Sequence, residues 1–294
     1  MRNKGHTIRA RNNLYGWLFI SPALLCFMLF ILIPTITVVI TSLTNYDMFS
    51  AVRFVGLLNF ARVFRDKVFR RSLVNICYYV VLYVPPLIAL SFLFANLLNN
   101  KIRSIKVFRT MYYLPGLTSV VASSIVWSWL LNPNFGLVNQ VLGLFGIKGP
   151  LWLAHSTWAM PSIVIICLWM TLGGNILIYL ATLQSIPQNL YEAAEIDGAN
   201  WFYKMMRITA PLSLRTTCFL ITIGLIGAFQ LFDQTYVLTR GGPANATMVP
   251  VFLIYTNAFT ELQVGYASAQ SVVLFFLILV FTQVVRRFDK GRFF

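Results

Sequence analysis

Residues 183–212 read LQSIPQNLYEAAEIDGANWFYKMMRITAPL. Three of only eight carboxylates in the 294 residues, Glu192, Glu195 and Asp197, fall inside this one stretch, and the runs on either side are apolar enough to cross a bilayer. Ser185 or Ile186 is placed to cap a helix, Pro187 suits its first turn, and QNLYEAAEID is good helix sequence. Gly198 supplies a stop; Asn200 caps a second short helix, WFYKMMRI, which ends before Pro211. The prediction is a compact helical elbow. Leu190, Ala193, Ala194 and Ile196 give it a small-residue apolar surface, with the three acids at the margin to accept bonds from a partner's Arg or Lys. From these residues alone, an ordinary solvated loop reads equally well.

The rest of the chain sets the context. Hydrophobic residues make up 58%, charged residues 11%, and mean hydropathy is +0.74, against roughly 25% charged in a soluble domain. Apolar runs of about twenty residues recur throughout. The class is an all-α polytopic membrane protein, and the absence of alternating ten-residue strands argues against an outer-membrane barrel. Six spans are expected, at about 15–43, 72–98, 107–131, 157–182, 211–237 and 267–287, forming a transmembrane domain over 15–287. Segment 1–14 precedes it, the loop 183–210 interrupts it, and a tail, 288–294, follows. The first run is too long for a signal-peptide core and has no small-residue cleavage site.

The net charge of +15 belongs to the ends of the spans, where topology selection and anionic lipid account for it better than nucleic acid does. With both termini cytoplasmic, fifteen of the 23 basic side chains lie inside: those before span 1, Lys101, Arg103, Lys106 and Arg109, Lys204, Arg207 and Arg215, and the C-terminal group. Loop 44–71 conflicts, with six basic residues outside. An amphipathic surface helix over Asn59–Ser72, with Phe60, Val63, Phe64 and Val68 on one face, would explain them as a solvated face. Pro34, Pro85, Pro86, Pro115 and Pro161 each remove a helix hydrogen bond and bend or break their spans, which favours a transporter or channel over an anchor. Cys26, Cys77, Cys167 and Cys218 stand alone as small core residues, and with only His6 and His155 present no metal site or catalytic centre is expected.

Polar residues inside the spans mark a solute path. Asp233 and Gln230, a turn apart in span 5, come first, then Asn175 in span 4 and Thr118 and Ser119 in span 3; bonding between helices is the plainer role for each.

Glu192-Ala193-Ala194, then Gly198 three residues on, Ile208 nine further and Pro211, resembles the EAA loop of integral-membrane permease subunits of binding-protein-dependent ABC importers. Ala210 stands where that pattern has Leu. The resemblance extends through FVGLLNFARVF (54–64), LTRGGPANAT (238–247), IYTNAF (254–259) and GYASAQSVVLF (265–275), similar to the Gly-Gly-Pro-bearing subunit of maltose-type and glycerol-3-phosphate-type importers. It implies a type I permease fold whose loop is a cytoplasmic coupling helix, with Glu192, Ala193, Ala194, Asp197 and Gly198 docking on the ATPase. It implies these partners: a second, different permease, two ATPase subunits that hold ATP and Mg, an extracytoplasmic solute-binding protein and a saccharide. The location implied is a prokaryotic plasma (inner) membrane. Family sugar contacts map here onto Gly116, Thr171, Gly174 and Gly224, with Trp169 a possible ring-stacking partner. No GxxxxGK[ST] stretch exists, so the chain itself has no cofactor. Without a buried Arg or Lys well inside the spans, a neutral saccharide is expected rather than glycerol phosphate. The competing readings are a membrane-embedded transferase, for which the elbow offers the only acidic cluster and no His or Cys, and a solitary channel or receptor, for which no filter motif is present.

Overall fold

Hydrocarbon offers a backbone no hydrogen-bonding partner, so long apolar runs have to satisfy their own amides, and every long element here is helical. The computed structural model describes residues 4–99 and 105–290; Arg2, Lys101, Arg103 and Arg292, used above for orientation, lie outside them. α1 (Lys4–Phe27) passes through a π turn at Met28–Leu32 into α2 (Ile33–Ser42), where Pro34 occupies the first turn, the position at which a missing N–H costs least. The segment that follows departs from expectation. In place of one amphipathic helix over Asn59–Ser72, α3 (Leu58–Arg65) stops before Asp66, which starts α4 (Lys67–Leu98). Asp66 is extended, and its Oδ1 accepts from the N–H of Val68 at 2.7 Å and of Phe69 at 3.3 Å. A carboxylate that satisfies two orphan amides at a helix start outweighs simple continuation.

The expected third span, 107–131, is not one helix. α5 (Ile105–Tyr113) gives way to a 3-10 turn at Leu114–Leu117, two extended residues, and then α6 (Val120–Leu130). Pro115 has no N–H to give, and Thr118 seals the break by sending both its N–H (3.2 Å) and its hydroxyl (2.7 Å) to the Pro115 carbonyl. Pro85 and Pro86 lie inside the continuous α4, and Pro161 inside α8, so of the expected bend or break these prolines show no break. α7 (Leu137–Leu144) and a 3-10 turn at Trp152–Ala154 precede α8 (Ser156–Ser185). α9 (Gln188–Ile196), α10 (Trp201–Lys204), a π turn at Met205–Thr209 and α11 (Ala210–Leu212) form the elbow and its return. α12 (Leu214–Phe229) and α13 (Asp233–Leu238) share the fifth run, interrupted without any proline; α14 (Pro250–Tyr255) and α15 (Val264–Lys290) complete the chain. Among the described residues, five segments are long and apolar enough to cross a membrane, Gly16–Ser42, Lys67–Leu98, Ser156–Ser185, Leu214–Leu238 and Val264–Val285; of the expected third span only the shorter Val120–Leu130 is an apolar helix.

Two compact units are distinguished. The first holds residues up to Val63 together with Asn257–Val273. Its polar ties are specific: Asn59 Nδ2 donates to the carbonyls of Ser42 (2.9 Å) and Thr44 (2.8 Å), Thr41 Oγ1 to Ser268 Oγ at 2.9 Å, and Gly265 N to Tyr46 O at 2.8 Å. Arg62 lies 4.2 Å over the Tyr266 ring. None of the most apolar stretch of Gly16–Ser42 is buried within this chain, and Cys26 on it is exposed, not a core residue.

The second unit holds Phe64–Thr256 and the chain from Leu274 onward. Its centre is α4 packed along α8, with α12 against α4 and α13 against α6. The buried positions of α4 (Phe69, Ser72, Ile76, Tyr79, Tyr83, Leu87, Ser91, Ala95) recur every three or four residues, so one stripe faces the neighbours. Ile163, Cys167, Met170, Gly173, Ile176, Leu180 and Leu183 do the same for α8. Serine, alanine and glycine within these stripes let the helices approach closely, which matters where lipid is as apolar as the core and close packing, not water exclusion, holds helices together. Gly173 shows the limit: a Cβ there would stand 2.1 Å from the Tyr112 carbonyl oxygen.

Candidate functional site

The elbow is built from local signals and then braced from a distance. α8 runs through Ser185, and Pro187, not Ser185 or Ile186, is the residue that starts α9; its side chain caps nothing. At the far end Gly198 takes φ +77°, and the N–H groups of Asp197, Gly198 and Ala199 return to the carbonyls of Ala193 (3.1 Å), Glu195 (3.0 Å) and Ala194 (2.8 Å). This left-handed stop is the geometry glycine favours. Asn200 caps α10, its Oδ1 accepting from Tyr203 N at 2.8 Å. The return does not end before Pro211. The Met205–Thr209 π turn carries it past, placing Pro211 in the first turn of α11, where no N–H is required.

Two bonds the sequence does not announce tie α9 to the return. The Tyr191 hydroxyl meets the buried Thr209 Oγ1 at 3.0 Å, and Lys204 Nζ reaches Glu195 Oε1 at 2.6 Å. Glu195 is therefore engaged within the elbow, and all three acids, Glu192, Glu195 and Asp197, are exposed. Leu190, Ala193 and Ile196, three residues apart, are exposed as well, Ile196 to 87%. A short, braced helix presenting an apolar strip edged by Glu192 and Asp197 is a docking element in its chemistry.

Within the second unit, some of the residues expected along a solute path come together. Thr171 Oγ1 bonds the Tyr83 hydroxyl at 2.8 Å, an added Cβ at Gly224 would touch Val84 Cγ1 at 3.7 Å, and one at Gly116 would lie 3.1 Å from the Met170 carbonyl. Thr171, Gly116 and Gly224 thus gather around Tyr83–Val84 and Met170, where α4, α8, α12 and the 3-10 turn meet. Thr118 Oγ1 pairs with Ser123 Oγ at 2.7 Å; Ser119 is exposed and precedes α6. Gly174 and Asn175 are half-buried on α8, and Trp169 stacks edge-to-face with Trp127, its ring centroid 5.6 Å away.

Gln230 and Asp233 are not a turn apart on one helix. Gln230 ends α12, Phe232 breaks it, and Asp233 opens α13; both polar side chains are exposed. No hydrogen bond among the described residues joins them to Thr171, Asn175, Thr118 or Ser119. Around the break stand Phe232, Tyr236 and Tyr255, with ring centroids 5.2 to 5.6 Å apart. On α6 and α13, which pack together, the Ser124 and Thr235 hydroxyls are buried without a partner among the described residues. The turn at Gly241-Gly242-Pro243 is closed by Thr247, whose hydroxyl meets Gly242 O (2.6 Å) and Thr239 Oγ1 (2.7 Å); Asn75 Nδ2 on α4 ties the loop down through Asn245 O (2.8 Å) and Met248 O (2.9 Å).

Interrupted apolar helices within a bundle, joined to a braced polar elbow, define a multi-pass membrane transport subunit and not an anchor. The comparisons make this specific. Residues 53–293 match the family described as "Binding-protein-dependent transport system inner membrane component". The chain is 33% identical over 285 residues to the probable ABC transporter permease protein YurN of Bacillus subtilis, covering 95% of this chain and 97% of that one. It is 36% identical over 272 residues to the lactose transport system permease protein LacF of Rhizobium radiobacter, with 90% of each covered. A bacterial ABC transporter involved in import of the acidic polysaccharide alginate shares the fold, with a TM-score of 0.86 at 22% identity over 99% of this chain and all of that one. The chain belongs to this family: it is a multi-pass inner-membrane permease component of an ABC transporter, the non-enzymatic part of the machine.

Proposed function

We propose that the chain forms half of the translocation pathway of an ATP-driven importer of neutral saccharides. A second permease completes the pathway, two cytoplasmic ATPase subunits hold ATP and Mg, and a solute-binding protein delivers the sugar from outside. Both termini and the elbow face the cytoplasm in this reading, as the distribution of basic residues suggests. The observation that carries it is the braced elbow with exposed Leu190, Ala193 and Ile196 between Glu192 and Asp197. A floppy loop would absorb a push; one fixed by a glycine stop, an Asn200 cap and two cross-ties passes it to α8 and α12.

When the ATPase dimer closes on ATP, the elbows follow, and the bundle opens outward to the docked binding protein; hydrolysis resets it. Thr171, Asn175, Thr118, Ser119, Gln230 and Asp233 line the solute's route, with hydroxyls and amides that exchange hydrogen bonds with sugar hydroxyls and aromatic faces near Asp233 that suit sugar rings. The saccharide assignment draws on a relative named for lactose transport. A neutral sugar fits spans that place no Arg or Lys at mid-membrane. The test is purification of the tagged chain from its native membrane and reconstitution with the proteins that accompany it. The expected result is a bound ATPase and a second permease, and saccharide uptake that requires ATP and binding protein. Uptake without an ATPase, or ATP hydrolysis indifferent to every neutral saccharide offered, overturns the proposal.

A further inference from the structure

A cavity of about 440 Å³ lies at the root of the elbow, between the ends of α4 and α8 and the inner side of α9 and α10. That volume falls in the range of small-molecule sites, about 300–1,000 Å³. Its wall carries four amides, Asn96, Asn99, Gln184 and Gln188, with the Tyr191 hydroxyl and the Trp201 ring. Asn96 spends one N–H on the Phe92 carbonyl at 2.8 Å; the side chains of Asn99, Gln184, Gln188 and Trp201 have no hydrogen-bond partner among the described residues. Lys204 and Glu195, also in the wall, neutralise each other at 2.6 Å, so the described lining residues carry no net charge to attract an anion or a cation.

Amides both donate and accept, as sugar hydroxyls do, and an indole offers a flat apolar face for a sugar ring. The lining therefore suits a neutral polyhydroxylated molecule. Its position adds a consequence. One wall belongs to the bundle and the other to the elbow, so an occupant bonded to Asn99 and Gln184 on one side and to Gln188 and Trp201 on the other ties the two together. We propose that this cavity is a second saccharide site, separate from the translocation path, which the imported sugar occupies from the cytoplasm. Occupancy restrains the elbow and slows import as sugar accumulates inside. The regulatory half rests on the coupling role of the elbow, and access from the cytoplasm on its orientation, both given under Proposed function; saccharide binding at the cavity itself does not.

The experiment uses the reconstituted complex with its ATPase, the titrations being made without the binding protein, and lactose and maltose as probes with glycerol 3-phosphate as the charged comparison. Titration is followed by tryptophan fluorescence, in the wild type and in Trp201→Phe. Saturable quenching by a disaccharide, absent in Trp201→Phe and weakened tenfold or more in Asn99→Ala/Gln184→Ala, is expected, with glycerol 3-phosphate silent. Disaccharide loaded inside the vesicles lowers ATP hydrolysis by about fivefold, the low end of ordinary coupling between sites, and the double variant escapes this while still hydrolysing ATP with empty vesicles. A signal that survives in Trp201→Phe and in the double variant, or one produced equally by glycerol 3-phosphate, overturns the binding site. Binding at Trp201 with hydrolysis unaffected by internal sugar overturns the restraint. Failure of saccharide uptake in the wild type would refute the proposed function instead, and the Trp201 titration reads the site regardless.

Discussion

The elbow and the junction of α8 with the broken third span are both corners, and they are held by opposite means. At the elbow, side chains do the holding: an Asn cap, a Tyr–Thr bond and a Lys–Glu pair fix a helix whose outer strip is bare. At the junction, backbones meet directly, Gly173 against the Tyr112 carbonyl and Gly116 against that of Met170, with hardly a side chain between. The first corner keeps its shape while offering a surface to something else. The second has no room for a larger residue and nothing to offer beyond a few hydroxyls. A relay has to be stiff within and free without; a seam in a membrane bundle has to be close.

The largest effect is expected where the seam is tightest. Gly173→Val puts atoms where the Tyr112 carbonyl already sits, and overpacking of this kind costs about 1–3 kcal/mol or more when backbone cannot yield. The permease should fall sharply in membrane abundance and in melting temperature by fluorescence-detected gel filtration. Wild-type behaviour would mean the seam is looser than drawn. Next, Tyr83→Phe removes the partner of Thr171 at a cost of about 1 kcal/mol. It should leave assembly intact and change which saccharides compete for uptake. Unaltered competition would take Thr171 off the solute path.

Smaller is the loss expected from Glu195→Gln. The carboxylate is 62% exposed on its side chain, so the pair contributes only about 0.5 kcal/mol after solvent screening. Hydrogen exchange in α9 should rise modestly, and more so when Tyr191→Phe is added, since each tie backs up the other. The smallest effect concerns Asp47, outside the spans. Bonds from the Ser50 N–H, the Ser50 hydroxyl and the Phe49 N–H hold its carboxyl below the ordinary value of 3.8. A depressed folded value means the carboxylate stabilises its loop above that ordinary value and loses the contribution as pH falls through the lower one. Proteolysis of the 45–53 loop should therefore quicken at acid pH, and Asp47→Asn should flatten the dependence.

What the sequence could show follows the range of the interactions. Gly198 and Asn200 act within a few residues of themselves, and the structure puts the stop and the second cap where those residues stand. The first cap is not where the local pattern puts it, because Pro187, with its fixed φ, turns the chain without help from Ser185. The ties Tyr191–Thr209 and Glu195–Lys204 span 18 and 9 residues, so no local pattern reveals them, and Glu195 reads as a free acid until its partner is seen. Hydropathy located the apolar runs but not their interruptions. Pro115 marks one break, while Pro85, Pro86 and Pro161 cause none, and Gln230–Phe232 breaks its run with no proline. Nor does hydropathy tell covered helices from bare ones. The most apolar stretch of Gly16–Ser42 has a mean of 2.8 and none of it buried, that of Ser156–Ser185 a mean of 2.2 and half buried.

The central claim is that the elbow transmits force because it is stiff, and Gly198 is where that stiffness is made. Its φ of +77° suits glycine and costs a side-chain-bearing residue about 1–2 kcal/mol, more when β-branched. The direct measurement is saccharide-stimulated ATP hydrolysis and uptake by the reconstituted complex carrying Gly198→Val, with co-purification of the ATPase checked alongside. The account predicts an assembled complex whose hydrolysis no longer answers to sugar and whose uptake is lost. Full uptake with sugar-stimulated hydrolysis in that variant would contradict it.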